Sequence, residues 1–168
     1  MPSLTSGDLL AAGVDEPHVE VFLDPLNAAC DEFEINTDLR AAIFLAQITW
    51  ESGRFRTLQE IWGPTPYQLR YPGGRLYSGR GLIQITGLPN YTAVSDYFSV
   101  PLDQVAGWLL TTEGACRSAG WFWKTNGCNE LADAHAFTAV TKKINGGTTA
   151  LPQRIAIYAE IAKEKGLV

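Results

Sequence analysis

Residues 63–87 read GPTPYQLRYPGGRLYSGRGLIQITG, and six glycines with three prolines in that stretch rule out a continuous helix through it. It has to be loop, with at most a short strand pair around Leu82 to Thr86. The flanks read differently. Asn36 or Thr37 is placed to cap a helix that carries Leu39, Ile43, Ala46 and Trp50 on one stripe, and Gly53 is placed to stop it. Thr111 and Thr112 precede EGACRSAGWFWKTNG, which Asn126-Gly127 terminates. A third long helix fits LPQRIAIYAEIAKEKG, with Pro152 in its first turn, Ile155, Tyr158, Ala159 and Ala162 on one side, and Gly166 at its end. The expectation is a mainly α fold in which helices surround a glycine-rich loop or short β segment.

No internal repeat or linker interrupts the chain, and 168 residues, 46% of them apolar, suffice for one domain with a sizeable core. We expect residues 1–168 to form a single domain, an acidic helical segment of about 1–36 packing on a core of about 37–165. The charge is uneven: residues 1–40 hold nine acids against Arg40 alone, while residues 41–168 hold nine acids and twelve bases. The opening MPSLTSGDLLAAGV lacks the cationic start and apolar core of a signal peptide, and no apolar run approaches the ~18 residues of a membrane helix, so a soluble cytoplasmic chain is expected. Cys30, Cys116 and Cys128 are odd in number, against a disulfide framework, although the spacing leaves a Cys116–Cys128 bridge open. With only His18 and His135 and no C-x-x-C, no metal site is expected.

Two acids stand out in AQITWESGRFRTLQEIW. Glu51 lies about 100° beyond Trp50 on the helix, in line with Phe44, Gln47 and Ile48. That makes it a half-buried boundary residue, whose carboxyl burial would push toward the protonated form that a general acid needs. Arg54, three residues on, would pull the other way, and the sequence leaves the balance open. Glu60 is the single acid among Arg54, Arg56, Arg70, Arg75 and Arg80, so residues 54–80 carry a formal charge of +4. Two carboxyls in unlike settings are what glycoside hydrolysis uses. Charge pattern alone favours the plainer reading, in which Glu51 ends a helix beside Arg54 and Glu60 is a surface residue.

The runs AQITWESGRF, EIWGPTP, YSGRGLIQITGLPNY, SAGWFWKTNGCNELAD, and VTKKINGG with PQRIAIY resemble, in that order, glycoside hydrolase family 19, and within it the lysozyme-like endolysins of bacteriophages that infect Gram-negative bacteria. The resemblance covers about residues 40 to 160. It implies a lysozyme-like helical fold with the glycine-rich segment flooring a cleft, and hydrolysis of β-1,4 links of N-acetylglucosamine polymers with inversion and without cofactor or metal. It further implies that Glu51 is the proton donor, Glu60 the general base, and Thr86 the hydroxyl that helps hold the attacking water. Gln84, Asn90 and Asn145 match substrate-contacting residues, and Arg154 matches a buried arginine near the catalytic groups.

Gln84, Thr86 and Asn90 offer donors and acceptors suited to hydroxyl and acetamido groups. Trp62, Tyr67, Tyr77 and Tyr91 are candidates for stacking on sugar rings, with ordinary packing an equally good reading of each, and Tyr77 and Trp62 are taken as substrate-binding. Trp121, Phe122 and Trp123 read as core. The chain departs from the family pattern at Trp50, where histidine is frequent, in the short PGGRL between Tyr71 and Tyr77, and at Ser78. Other classes fare worse. GRGLIQ lacks the third glycine of a dinucleotide fingerprint, no G-x-S-x-G elbow is present, Cys116 with His135 makes a poor thiol dyad, and an isoelectric point near 5.0 counts against nucleic acid.

The expected function is therefore that of a monomeric endolysin acting on peptidoglycan, held in the host cytoplasm until a separate holin-type pore protein admits it to the periplasm, without membrane insertion of its own. The alternatives are a chitinase and a non-catalytic saccharide-binding relative.

Overall fold

The computed structural model describes residues 3–168, and among them the regular structure is helical. The order is α1 (Ser6–Ala11), α2 (Glu16–Glu32), α3 (Asp38–Glu51), α4 (Leu88–Phe98), α5 (Leu102–Leu109), α6 (Thr112–Thr125), α7 (Cys128–Asp133), α8 (Phe137–Asn145) and α9 (Leu151–Glu164). Two short 3-10 turns, Gln68–Arg70 and Gly74–Tyr77, interrupt the segment between α3 and α4. Among the described residues no helix is long and apolar enough to cross a membrane.

α3 is the hub. Thr37 caps it by accepting from the Arg40 N–H at 3.2 Å. Every residue from Ala41 to Thr49 is buried, so this helix is enclosed on all sides rather than on one stripe. It packs along α9 and touches α7 and α8, while α2 lies against α6. The stripe expected from the sequence fails at its end, because Trp50 turns outward and is 39% exposed. The inward face of α9 also differs from expectation: Arg154, Ile161 and Ala162 are buried, and Ile155 is 43% exposed. A buried arginine occupies a position that apolar periodicity does not count.

The α2–α6 contact depends on Gly120, where a Cβ would stand 2.5 Å from the Phe33 ring. The acids of the first 40 residues find their partners in later segments: Glu32 with Arg117 at 2.8 Å, Glu34 with Lys124 at 3.0 Å, and Asp15 with Arg56 at 3.3 Å. Lys165, its side chain 6% exposed, clasps Asp8 at 2.9 Å, the Ser3 carbonyl at 2.7 Å and Asp38 at 3.4 Å. Surface pairs of this kind contribute little individually. The Lys165 clasp is enclosed and ties the C-terminal helix to both α1 and the start of α3.

The glycine-rich segment forms no strand pair over Leu82–Thr86. Its ladder is reduced to isolated antiparallel bridges, Gln59 with Arg80 and Arg80 with Ile85. Arg80 and Ile85 exchange both backbone hydrogen bonds, at 3.1 and 2.9 Å, across a tight turn in which Gly81 and Gln84 have φ of 85° and 61°. The turn is too short to extend the pairing. All three thiols are free and buried, so Cys116 and Cys128 are unbridged.

Candidate active site

A cleft of about 500 Å³ opens between the end of α3, the glycine-rich segment, α6 and the end of α8. Glu51 and Glu60 both line it, together with Gln84, Thr86, Asn90 and Asn145. Most of the residues singled out in the sequence are thus brought to one place from segments 94 positions apart.

Glu51 is the last residue of α3, its side chain 15% exposed. Arg154 Nη2 donates to its Oε1 at 2.6 Å, Nη1 donates to Gln47 Oε1 at 2.8 Å, and Nε donates to the Thr149 carbonyl at 3.1 Å. Gln47 lies one turn before Glu51 on the same face, so one guanidinium grips both side chains. Gln47 in turn donates to Thr141 Oγ1 at 2.8 Å, which donates to the Phe137 carbonyl at 3.2 Å. Burial pushes the Glu51 carboxyl above its ordinary pKa, and the Arg154 charge and hydrogen bond only partly offset it. Arg54, the neighbour expected to compete, lies elsewhere: its Nε passes 3.1 Å from where a Gly13 Cβ would be.

Glu60 is held in another manner. Its backbone N–H donates to the Gly79 carbonyl at 3.0 Å, and its Oε1 accepts from the Gly79 N–H at 2.7 Å. Its Oε2 accepts from the Tyr71 hydroxyl at 3.1 Å and from Gln68 Nε2 at 3.4 Å. The partners are neutral groups, not the arginines that surround Glu60 in sequence. Arg56 pairs with Asp15, and Arg80 donates to the Leu76 carbonyl at 2.8 Å and the Tyr91 hydroxyl at 2.7 Å. Burial, followed by the Glu60 charge, pushes the Tyr71 phenol up to about 12, which keeps it a donor.

On the floor, Thr86 donates to the Gln84 carbonyl at 2.9 Å, Gln84 Nε2 donates to the Gly81 carbonyl at 2.8 Å, and Asn90 Nδ2 donates to the Thr86 carbonyl at 2.8 Å. The side-chain oxygens of Gln84 and Asn90 therefore remain as acceptors. Gly79 lets the floor close on it: a Cβ there would stand 2.9 Å from Gln84 Oε1 and 3.1 Å from Thr86 Oγ1, so those side chains would have to shift. Asn145 is both the end of α8, with Gly146 at φ 79° behind it, and part of the cleft wall.

Tyr77 and Trp62 are placed outside the cleft lining. The Tyr77 ring packs edge-on against the buried Tyr91 at 5.2 Å, and Trp62 stands behind Tyr71 at 6.2 Å. Tyr67 and Tyr71 supply the aromatic wall instead. Of the three aromatics read as core, Trp121 and Trp123 are buried, but half-buried Phe122 faces the cleft. Lys143 also lines it; its place beside Ile144-Asn145 was the available signal. The rejected thiol dyad is absent, since Cys116 is buried and His135 exposed. Among the described residues no three His, Cys, Asp or Glu side chains gather as a metal site.

A helical scaffold with two carboxyls facing one polar cleft is the lysozyme-like glycoside hydrolase type of fold. The chain belongs to glycoside hydrolase family 19. It is 39% identical over 87 residues to a glycosyl hydrolase family 19 domain-containing protein of Haemophilus influenzae, covering 51% of this chain and 40% of that protein. It is 36% identical over 141 residues to an endochitinase of Arabidopsis thaliana, covering 75% of this chain and 48% of the relative. The chain thus spans less than half the length of these curated relatives. No protein-family model matches it. Chitinase C from Streptomyces griseus shares the fold at a TM-score of 0.79 and 18% identity, over 98% of this chain and 93% of that one.

Proposed function

We propose that this chain hydrolyses β-1,4 glycosidic bonds in the glycan strands of bacterial peptidoglycan, by inverting general acid and base catalysis. The observation that carries the glycosidase reading is the presence in one cleft of two carboxyls held in unlike ways, Glu51 enclosed and pushed toward its protonated form and Glu60 bound by three neutral donors. In this scheme Glu51 delivers its proton to the leaving glycosidic oxygen as the bond breaks. Glu60 takes a proton from the water that attacks the anomeric carbon from the opposite face, and Thr86 steadies that water. Gln84, Asn90 and Asn145 orient the acetamido and hydroxyl groups, and Arg154 keeps Glu51 in its rotamer. A non-catalytic saccharide-binding role does not call for two carboxyls held in unlike ways in one cleft.

Peptidoglycan is preferred as substrate because Lys143 lines the cleft and Arg70 sits between Tyr67 and Tyr71, both in its wall. Arg70 and Arg75 form no ion pair among the described residues. Peptide stems carry carboxylates that such a rim attracts. The endolysin role, the separate holin-type pore protein, monomeric action without nucleic acid, and passage from host cytoplasm to periplasm belong to the same proposal. A chitinase is the second reading, favoured by the Arabidopsis relative's being an endochitinase.

Turnover of purified peptidoglycan and of a chitin oligomer, measured as salt is raised, separates the two. Screening shortens from ~10 Å at 0.1 M to ~3 Å at 1 M ionic strength. Peptidoglycan turnover should fall over that range and fall further in Arg70→Ala/Arg75→Ala. Faster, salt-insensitive turnover of chitin would select the chitinase. The first product detected by NMR should be the α-anomer, and a trapped glycosyl-enzyme would overturn the inverting mechanism.

A further inference from the structure

A second cavity of about 590 Å³ lies between the end of α3 and the first half of α9. Its walls are Thr49, Trp50, Gly53, Arg54 and Arg56 from the end of α3 and the turn after it, with Gln153, Ala156 and Ile157 from α9. None of the catalytic side chains enters it. Gln153 and Arg154 are consecutive on α9, and Trp50 and Glu51 are consecutive on α3. In each pair one residue faces this cavity and the other serves the Glu51 site.

The turn that presents the arginines is unusual. Gly53, Arg54 and Phe55 all have positive φ, of 56°, 63° and 67°, and two of them are not glycine. Such conformations persist where surrounding structure over-determines them and are concentrated at functional sites. Here Phe55 is the anchor, buried and packed on Phe22 at 5.0 Å, and it leaves Arg54 and Arg56 exposed on either side. Arg54 forms no ion pair among the described residues, and Arg56 has only its pair with Asp15 at 3.3 Å. The cavity wall has no acid, and the partly exposed Trp50 lines it together with the two arginines. At the floor the Thr49 hydroxyl is the one buried side-chain polar atom without a partner among the described residues.

We propose that this cavity is a binding site for a carboxylate-bearing peptide stem of the peptidoglycan. Arg54 and Arg56 pair with the stem's carboxylates, which bidentate guanidinium geometry suits. Trp50 and Ile157 cover its aliphatic portions, and Gln153 takes up a backbone amide. The inference rests on the peptidoglycan reading above. It assigns a role to the exposed Trp50.

The test is an NMR titration of the protein with the synthetic tripeptide L-alanyl-γ-D-glutamyl-meso-diaminopimelate, following the Trp50 indole N–H, which Trp50→Phe identifies. Saturable shifts are expected, with at least a tenfold weaker affinity in Arg54→Gln/Arg56→Gln and for the tripeptide with amidated carboxylates. On intact peptidoglycan the double variant should show a raised KM at unchanged kcat, and on glycan strands stripped of peptide it should match wild type. No shift at Trp50, equal affinity in the double variant, or a shift produced by a chitin oligomer but not by the tripeptide would overturn the site. Failure of the peptidoglycan reading shows separately, as stripped strands left uncleaved by wild type, whereas the titration reads the cavity whatever the glycan result.

Discussion

Arg154 Nη2 and Glu51 Oε1 stand 2.6 Å apart, joining the middle of α9 to the last residue of α3 across 103 positions of sequence. The guanidinium is 1% exposed and the carboxyl 15%. The same arginine donates to Gln47 and to the Thr149 carbonyl, so the acid's rotamer is set by a group that is itself anchored at two further points. The contact opposes the effect of burial on the acid without cancelling it.

Glu51→Gln should abolish hydrolysis, lowering the rate at least ~10²-fold because an amide has no proton to deliver. Circular dichroism should show the fold unchanged, since the amide oxygen still accepts from Arg154. Near wild-type turnover by a folded variant would remove Glu51 from the mechanism.

The pH dependence of stability follows from the same group. A carboxyl whose pKa is raised in the fold binds more protons native than unfolded between the two values. Its stabilising contribution is full below the ordinary glutamate pKa and is lost as pH rises through the folded value. The Tm of Glu51→Gln relative to wild type should therefore climb over that window, as read by thermal melts at a series of pH values. In kcat, the limb that requires protonated Glu51 should fall on the alkaline side.

Arg154→Met breaks an enclosed pair and leaves Gln47 and Glu51 without their donor. A loss of about 3 kcal/mol or more in denaturant unfolding is expected. Any residual activity should have its alkaline limb moved upward, because the influence that lowers the Glu51 pKa is gone.

Gly79→Ala would place a methyl 2.9 Å from Gln84 Oε1 and 3.1 Å from Thr86 Oγ1 and shift those two side chains on the floor beside Glu60. A displacement near 1 Å at a reacting group costs on the order of 10²-fold in rate. The expected result is that kcat collapses while Tm changes little, and a variant with unaltered kcat would mean that the floor tolerates the shift.

Thr49→Val removes a hydroxyl buried without a partner. Unsatisfied buried polar groups cost about 1–3 kcal/mol, so this near-isosteric change should leave stability equal or raise it by about 1 kcal/mol. Denaturant melts check it, and a marked loss would show that the hydroxyl finds a partner in solution.

The sequence by itself determined what local physics controls. Thr37 and Thr111 cap α3 and α6 because a side-chain oxygen two or three residues ahead of free N–H groups needs no distant help. The glycines and prolines of residues 63–87 exclude a helix wherever they sit. The two glutamates were legible because both lie within ten positions of each other in settings of opposite character. Tertiary structure alone decided the remainder. α3 is buried on every side, so periodicity carried no information about which way Trp50 would turn. Arg154 reaches Glu51 only because α9 packs along α3, and a hydrophobic stripe that discounts arginine misplaced the inner face of α9, putting Ile155 inside. Arg54, nearest to Glu51 in sequence, was carried off by a left-handed turn whose direction is set by the burial of Phe55. Short-range preferences are encoded residue by residue, whereas the partner of a buried charge is chosen by whichever helix the core brings alongside.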